Sequence, residues 1–207
     1  MSGRLLQRWR ALAGEGAEEL GRTLIAAWSG PQRRYHDVSH LSALLDDAER
    51  RAALIEDAAF IGYAIWFHDA VYEPGRADNE ALSAAWARAA LGRLPELADR
   101  VGRVIEMTGR HEEGEAEGDA ALFLDMDIAI LGAPRAAYCA YAAGIRAEYP
   151  HIADAAFAAG RAAFLARRLE RTRTFRTDAY ESEFGLRARA NMAWELEEVQ
   201  SGRMVKG

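Results

Sequence analysis

Apolar positions along this chain recur mostly every three to four residues, and no segment alternates in the manner of a strand. Residues 3–28 read as a first helix that stops at Ser29-Gly30-Pro31. A second helix is predicted from near Asp37 to about Leu54, with Val38, Leu41, Leu45 and Ala48 on one stripe. The third, from about Asp57 to Asp69, contains AAFIGYAIWF and is apolar nearly all round, so it belongs at the centre of the fold. A loop at Glu73–Ala77 precedes a fourth helix that Asp78 or Asn79 can cap, and Pro95 opens a fifth that reaches His111. The stretch 112–120 is acidic and glycine-containing, which predicts an exposed connection. ALFLDMDIAIL (121–131) reads as a sixth helix, closed by Gly132-Ala133-Pro134. Pro134 and Pro150 each stand where a further helix can begin. The last helix has a capping pattern at Asp178-Ala179-Tyr180-Glu181 and continues to about Gln200. With neither an internal repeat nor an obvious linker, the expectation is an all-α protein forming a single compact bundle.

A chain of 207 residues that is 50% apolar can bury a substantial core as one domain. Its formal charge of −6 disfavours a nucleic-acid partner, because polyanion binding needs a concentrated basic surface. A small phosphorylated ligand stays compatible, since a local arginine cluster suffices for it. Cys139 is the sole cysteine, which excludes an intrachain disulfide and a thiolate metal cluster and fits a reducing compartment. The charged N-terminal stretch lacks the apolar core of a secretory leader, and no run is apolar enough for a membrane span. A cytoplasmic protein without a membrane partner is expected, and a homodimer is allowed.

The chemistry concentrates on a few residues. His36 and His40 are four apart, a spacing that can share one cation or set two imidazoles around a substrate. His68-Asp69 follows the most apolar helix in the chain. Burying that imidazole and carboxylate without partners costs several kcal/mol, and a divalent cation accepts both at once. Asp125 and Asp127 are flanked by apolar residues at every helical neighbour position, so at least one of them should meet a charge. Arg33 and Arg34 stand directly before the histidine pair, where guanidinium groups can clamp a phosphate.

The order His40, His68-Asp69, then Asp125 or Asp127, resembles the H…HD…D signature of the HD-domain superfamily of metal-dependent phosphohydrolases. RRYHDVSHL also looks like the YHxxxH segment of cyclic-nucleotide phosphodiesterases in that superfamily. A closer resemblance is to a bacterial group known as predicted metal-dependent HD-superfamily phosphohydrolases. It rests on RRYHDVSH, AIWFHDAVYEP, DNEALSA, TGRH, FLDMDIAILG, IRAEY and ESEFGLRARANMAWEL.

That resemblance implies an HD-type helical domain, with a metal-binding core at about 31–132 and additional C-terminal helices at 134–200. It makes His40, His68, Asp69 and Asp127 the metal ligands, with Asp125 as alternate, because MDIAILG resembles the segment that carries the last ligand. By the same resemblance His36 donates a proton to the leaving group, beside Asp69 as a catalytic residue. TGRH implies that His111 holds a second metal or the substrate. A mixed His/carboxylate set suits Mn²⁺, Fe²⁺, Co²⁺, Ni²⁺ or Zn²⁺, one ion or two, with Mg²⁺ admissible at a second site.

The expected function is hydrolysis of a phosphate ester or anhydride in a small, nucleotide-like substrate by metal-activated water. The alternative is a sensor module that binds metal and nucleotide without turnover. Arg33, Arg34 and Asn79 are candidate substrate-binding residues. Tyr72 is a candidate for the pocket mouth and Glu80 for capping or substrate contact, while Arg146, Glu183, Arg187 and Asn191 fall in the matching family segments, where buried ion pairs between helices explain them as well.

Overall fold

The computed structural model describes residues 2–109 and 115–203. Eleven α-helical segments and no strand occur among the described residues, so the fold is all-α. The chain gathers into two compact units, Met1–Leu124 and Asp125–Gly207.

In the first unit lie α1 (Ser2–Ala13), α2 (Glu18–Trp28), α3 (Val38–Arg50), α4 (Ala58–Phe67), α5 (Asn79–Ala90) and α6 (Pro95–Thr108). The next helix, α7 (Gly118–Asp127), straddles the division. Helix α4 buries seven of its ten residues, which explains the absence of a polar face in its sequence. Helices α1, α3, α5 and α6 pack around it. Trp9 of α1 meets Tyr63, Trp66 and Phe67 edge-on at ring distances of 6.0, 5.2 and 6.1 Å. At the start of α4 the Asp57 carboxylate accepts from Phe60 N (3.0 Å), and Asp119 accepts from Glu56 N (3.0 Å) and Asp57 N (2.6 Å). The amide bond from Phe60, reinforced by Arg100 at 2.8 Å, holds the Asp57 carboxyl below its ordinary pKa.

The single helix expected over 3–28 is two helices. Gly14 takes φ 83°, in the left-handed region that glycine accepts readily, and a 3-10 turn at Glu15–Ala17 follows. Helix α2 folds back on α1, where Trp9 Nε1 donates to Ala17 O (2.7 Å). The approach is close enough that a Cβ on Gly21 would stand 2.2 Å from Trp9 Cδ1. Helix α3 ends at Arg50 rather than near Leu54, because Ala52–Leu54 tightens into a 3-10 turn.

The second unit holds α8 (Arg135–Glu148), α9 (Asp154–Glu170), the short α10 (Asp178–Tyr180) and α11 (Leu186–Gln200). Helix α8 opens just after Pro134 as predicted, but α9 opens at Asp154 rather than at Pro150. Arg146 explains the delay, since it donates to Tyr149 O (2.6 Å) and Ile152 O (3.0 Å) and keeps that stretch in a turn. The expected final helix is interrupted by a π turn at Glu181–Gly185, and its cap is Thr177, which accepts from Tyr180 N (3.4 Å). Residues 129–132 form a 3-10 turn instead of continuing α7. Its carbonyls are held by Asn191 Nδ2, which donates to Leu131 O and Ala133 O (2.9 Å each), and by Arg187 Nε, which donates to Gly132 O (2.6 Å). Between α9 and α11 the buried Arg161 fork donates to Glu195 at 2.8 and 2.9 Å, and Tyr138 OH donates to the same carboxylate. Burial, and then the Glu195 charge, push the Tyr138 hydroxyl far above an ordinary phenol.

Candidate metal centre

His40 lies in the first turn of α3, where Asp37 caps the helix by accepting from Ser39 N (2.7 Å) and His40 N (3.4 Å). His68 closes α4, its amide donating to Ala64 O (3.0 Å), and Asp69 occupies the turn beyond. Packing of α3 against α4 brings the three together. One ligand atom each from His40, His68 and Asp69 lie within 4.8 Å of one another. The surroundings are apolar and aromatic. His68 is 1% exposed and touches the Trp28 and Phe123 rings at 5.2 and 5.6 Å, and the His40 ring lies 5.5 Å from His68.

The tautomer of His68 follows from its neighbours. Its Nδ1 is 3.0 Å from Ile65 O, which can only accept, so Nδ1 carries the proton. In the neutral ring Nε2 then presents a lone pair, and the Asp69 carboxylate oxygen stands 3.4 Å from it. A lone pair beside an anionic oxygen is an arrangement that a cation relieves. An imidazole oriented through its other nitrogen by a backbone carbonyl is the usual support of a metal-ligating histidine. Two imidazoles and a carboxylate fit a divalent transition ion.

His36 precedes α3 in the turn before it, and its ring lies 6.0 Å from that of His40. Tyr72 stacks on it at 4.4 Å, and Tyr35 contacts both histidines at 5.0 and 4.9 Å. Arg33 is 4% exposed, with its guanidinium lying 5.1 Å from the Trp28 ring and 5.2 Å from that of Tyr72. It donates to His36 O (2.6 Å), Asp69 O (2.7 Å) and Ala70 O (3.4 Å). Arg34 is exposed and donates to Pro31 O (2.6 Å) and Arg33 O (2.9 Å). Asn79 is buried and closes the loop before α5, accepting from Glu73 N (3.0 Å) and donating to Glu73 O (2.9 Å).

No protein-family model, curated protein or solved structure matches this chain.

The remaining sequence candidates are distributed differently. Asp125 and Asp127 belong to the second unit. Asp125 is 1% exposed and accepts from Arg176 N, Thr177 N and Thr177 Oγ1 at 2.7 Å each. Burial pushes its carboxyl up, and those three donors oppose the shift. Asp127 is partly exposed at the end of α7. His111 lies outside the described residues. Reading the sequence missed Trp28 and Phe123 as walls of the centre, because nothing in a lone aromatic at helical spacing separates such a wall from ordinary core.

Proposed function

We propose that this chain is a metal-dependent phosphohydrolase acting on a phosphate ester or anhydride of a small molecule. The observation that carries the reading is the convergence of His40, His68 and Asp69 in apolar surroundings, with the His68 tautomer set for ligation. The H…HD order of the sequence adds the reaction class by resemblance.

His40, His68 and Asp69 would hold the ion and leave coordination positions open for water and substrate. When bound, a divalent transition ion lowers the pKa of water toward neutrality and polarises a phosphoryl oxygen. Everything else falls to the chain. The Ile65 carbonyl orients the His68 ring and places the Nδ1 proton, so Nε2 is the nitrogen that would ligate. His36 stands next to His40 but precedes the helix that carries it, so an imidazole nitrogen can hold a proton for the departing oxygen. Tyr35 contacts both rings and Tyr72 contacts that of His36, so aromatic surface flanks that proton.

Two measurements test this. Metal analysis of the purified protein should find about one equivalent of transition metal per three-ligand centre, retained after dialysis and lost in both His68→Ala and Asp69→Ala. Nucleotides and generic phosphate esters, assayed with Mn²⁺, Co²⁺, Zn²⁺ and Mg²⁺, should then reveal turnover that His36→Ala lowers about a hundredfold or more. Absence of any bound metal sinks the reading. Bound metal without turnover of any ester or anhydride would leave a metal-binding sensor module instead.

A further inference from the structure

Arg33 reads from the sequence as a phosphate clamp, yet its guanidinium lies inside the fold. Nη1 donates to His36 O at 2.6 Å, while Nη2 donates to Asp69 O at 2.7 Å and to Ala70 O at 3.4 Å. The guanidinium carbon lies 5.1 Å from the Trp28 ring centre and 5.2 Å from that of Tyr72, and the Tyr72 ring in turn lies 4.4 Å from that of His36. The same Trp28 ring lies against His68 at 5.2 Å, and its Nε1 donates to Trp66 O (3.0 Å) in the last turn of α4. One side chain therefore touches both pieces of backbone that carry reactive groups.

We propose that Arg33 is a positioning residue for the candidate metal centre, a clamp that fixes the segment bearing His36 against the segment bearing Asp69. The inference rests on the metal-centre reading for its consequence, but the clamp itself is a property of the backbone.

Residues 29–37 join α2 to α3 without regular structure, and residues 68–78 join α4 to α5 in the same way. Gln32 Nε2, which donates to Tyr72 O (3.4 Å), and the His36–Tyr72 ring contact also span the two connections, and Arg33 adds bonds to the backbone of both. A planar guanidinium presents donors in a fixed fork, so bonds to carbonyls on both segments fix their separation as well as their contact. Cation–π attraction to the Trp28 and Tyr72 rings adds to the attachment. A lysine can keep the positive charge at this place, but it cannot supply the fork.

The test compares wild type with Arg33→Lys and Arg33→Met, using amide hydrogen exchange without metal and Co²⁺ titration followed by visible absorption. The amides of Asp37, Ala70 and Val71 report the two segments, because they bond to Tyr35 O, Phe67 O and Ser83 Oγ. Both variants should speed exchange at all three amides together by about tenfold, with the interior of α4 unchanged. They should also weaken Co²⁺ binding by about tenfold to a hundredfold and alter the shape of its spectrum. Unchanged exchange at either segment overturns the clamp, as does acceleration spread evenly over the first unit, which marks a residue of general stability. A lysine variant equal to wild type in exchange overturns it too. If wild type takes up no Co²⁺, the metal-centre reading fails, and the exchange result still decides whether Arg33 ties the two segments.

Discussion

His68 shows how much one hydrogen bond settles at the scale of a residue. With Nδ1 committed to Ile65 O, the ligating nitrogen is already chosen before any ion arrives. Replacing His68 by Gln keeps an amide able to bond Ile65 O but loses the imidazole lone pair, so metal content should fall to background while the circular-dichroism spectrum stays helical. Asp57 offers a residue-scale expectation in pH. Its folded pKa is depressed, chiefly by the Phe60 amide and then by Arg100, so its contribution is present above the unfolded value near about 4. That contribution is lost as pH falls through the folded value. Asp57→Ala should cost about 1 kcal/mol at pH 7 in denaturant unfolding, and the gap to wild type should close in the acid range below the unfolded carboxyl pKa. A constant gap across that range would show that the carboxylate does not act through its charge.

At the scale of elements, glycines separate two kinds of helix contact. Gly21 is where α2 meets Trp9, and an added Cβ would lie 2.2 Å from the ring, so Gly21→Ala should destabilise by about 1–3 kcal/mol through overpacking. Gly160, inside α9, has nothing within 4 Å of such a Cβ. There the same change should raise stability by about 0.5–1 kcal/mol through helix propensity alone. Thermal or urea unfolding of the two variants should thus move in opposite directions. Helix positions were legible wherever periodicity and breakers agreed, as at Ser29-Gly30-Pro31, Pro95 and Pro134. What escaped were interruptions decided by distant partners. Gly14 breaks a continuous helical pattern because α2 packs back on α1, and the start of α9 waits on the carbonyls that Arg146 holds. In the site, His68 and Asp69 were readable because polar residues beside an apolar helix demand partners, while His40 came from the resemblance to the H…HD order. The placement of Arg33 was not, since a sequence does not show which backbone carbonyls will surround a guanidinium.

For the whole molecule, a centre assembled from α3 and the end of α4 would couple metal binding to the stability of the first unit. A metal held only by the folded chain adds about 2.7 kcal/mol at a hundred times its dissociation constant, which corresponds to a Tm rise of about 5–10 °C. Differential scanning calorimetry with and without Co²⁺ should show that rise in wild type and none in Asp69→Ala. A shift of equal size in the variant would place the stabilising ion elsewhere. No described helix is long and apolar enough to cross a membrane, and α4 is buried among the helices of the first unit.

That burial has a consequence for how the chain comes off the ribosome. Helix α4 has partners both before and after it in sequence, and of these α5 and α6 are made after it. Until residue 108 has been made, AAFIGYAIWF stays uncovered on one side and offers a sticky surface to its neighbours or to a chaperone. The residues next to that hazard, His68 and Asp69, are the ones that would grip the ion. On the proposed reading, shortage of the metal would raise the share of this chain in the form most prone to clump.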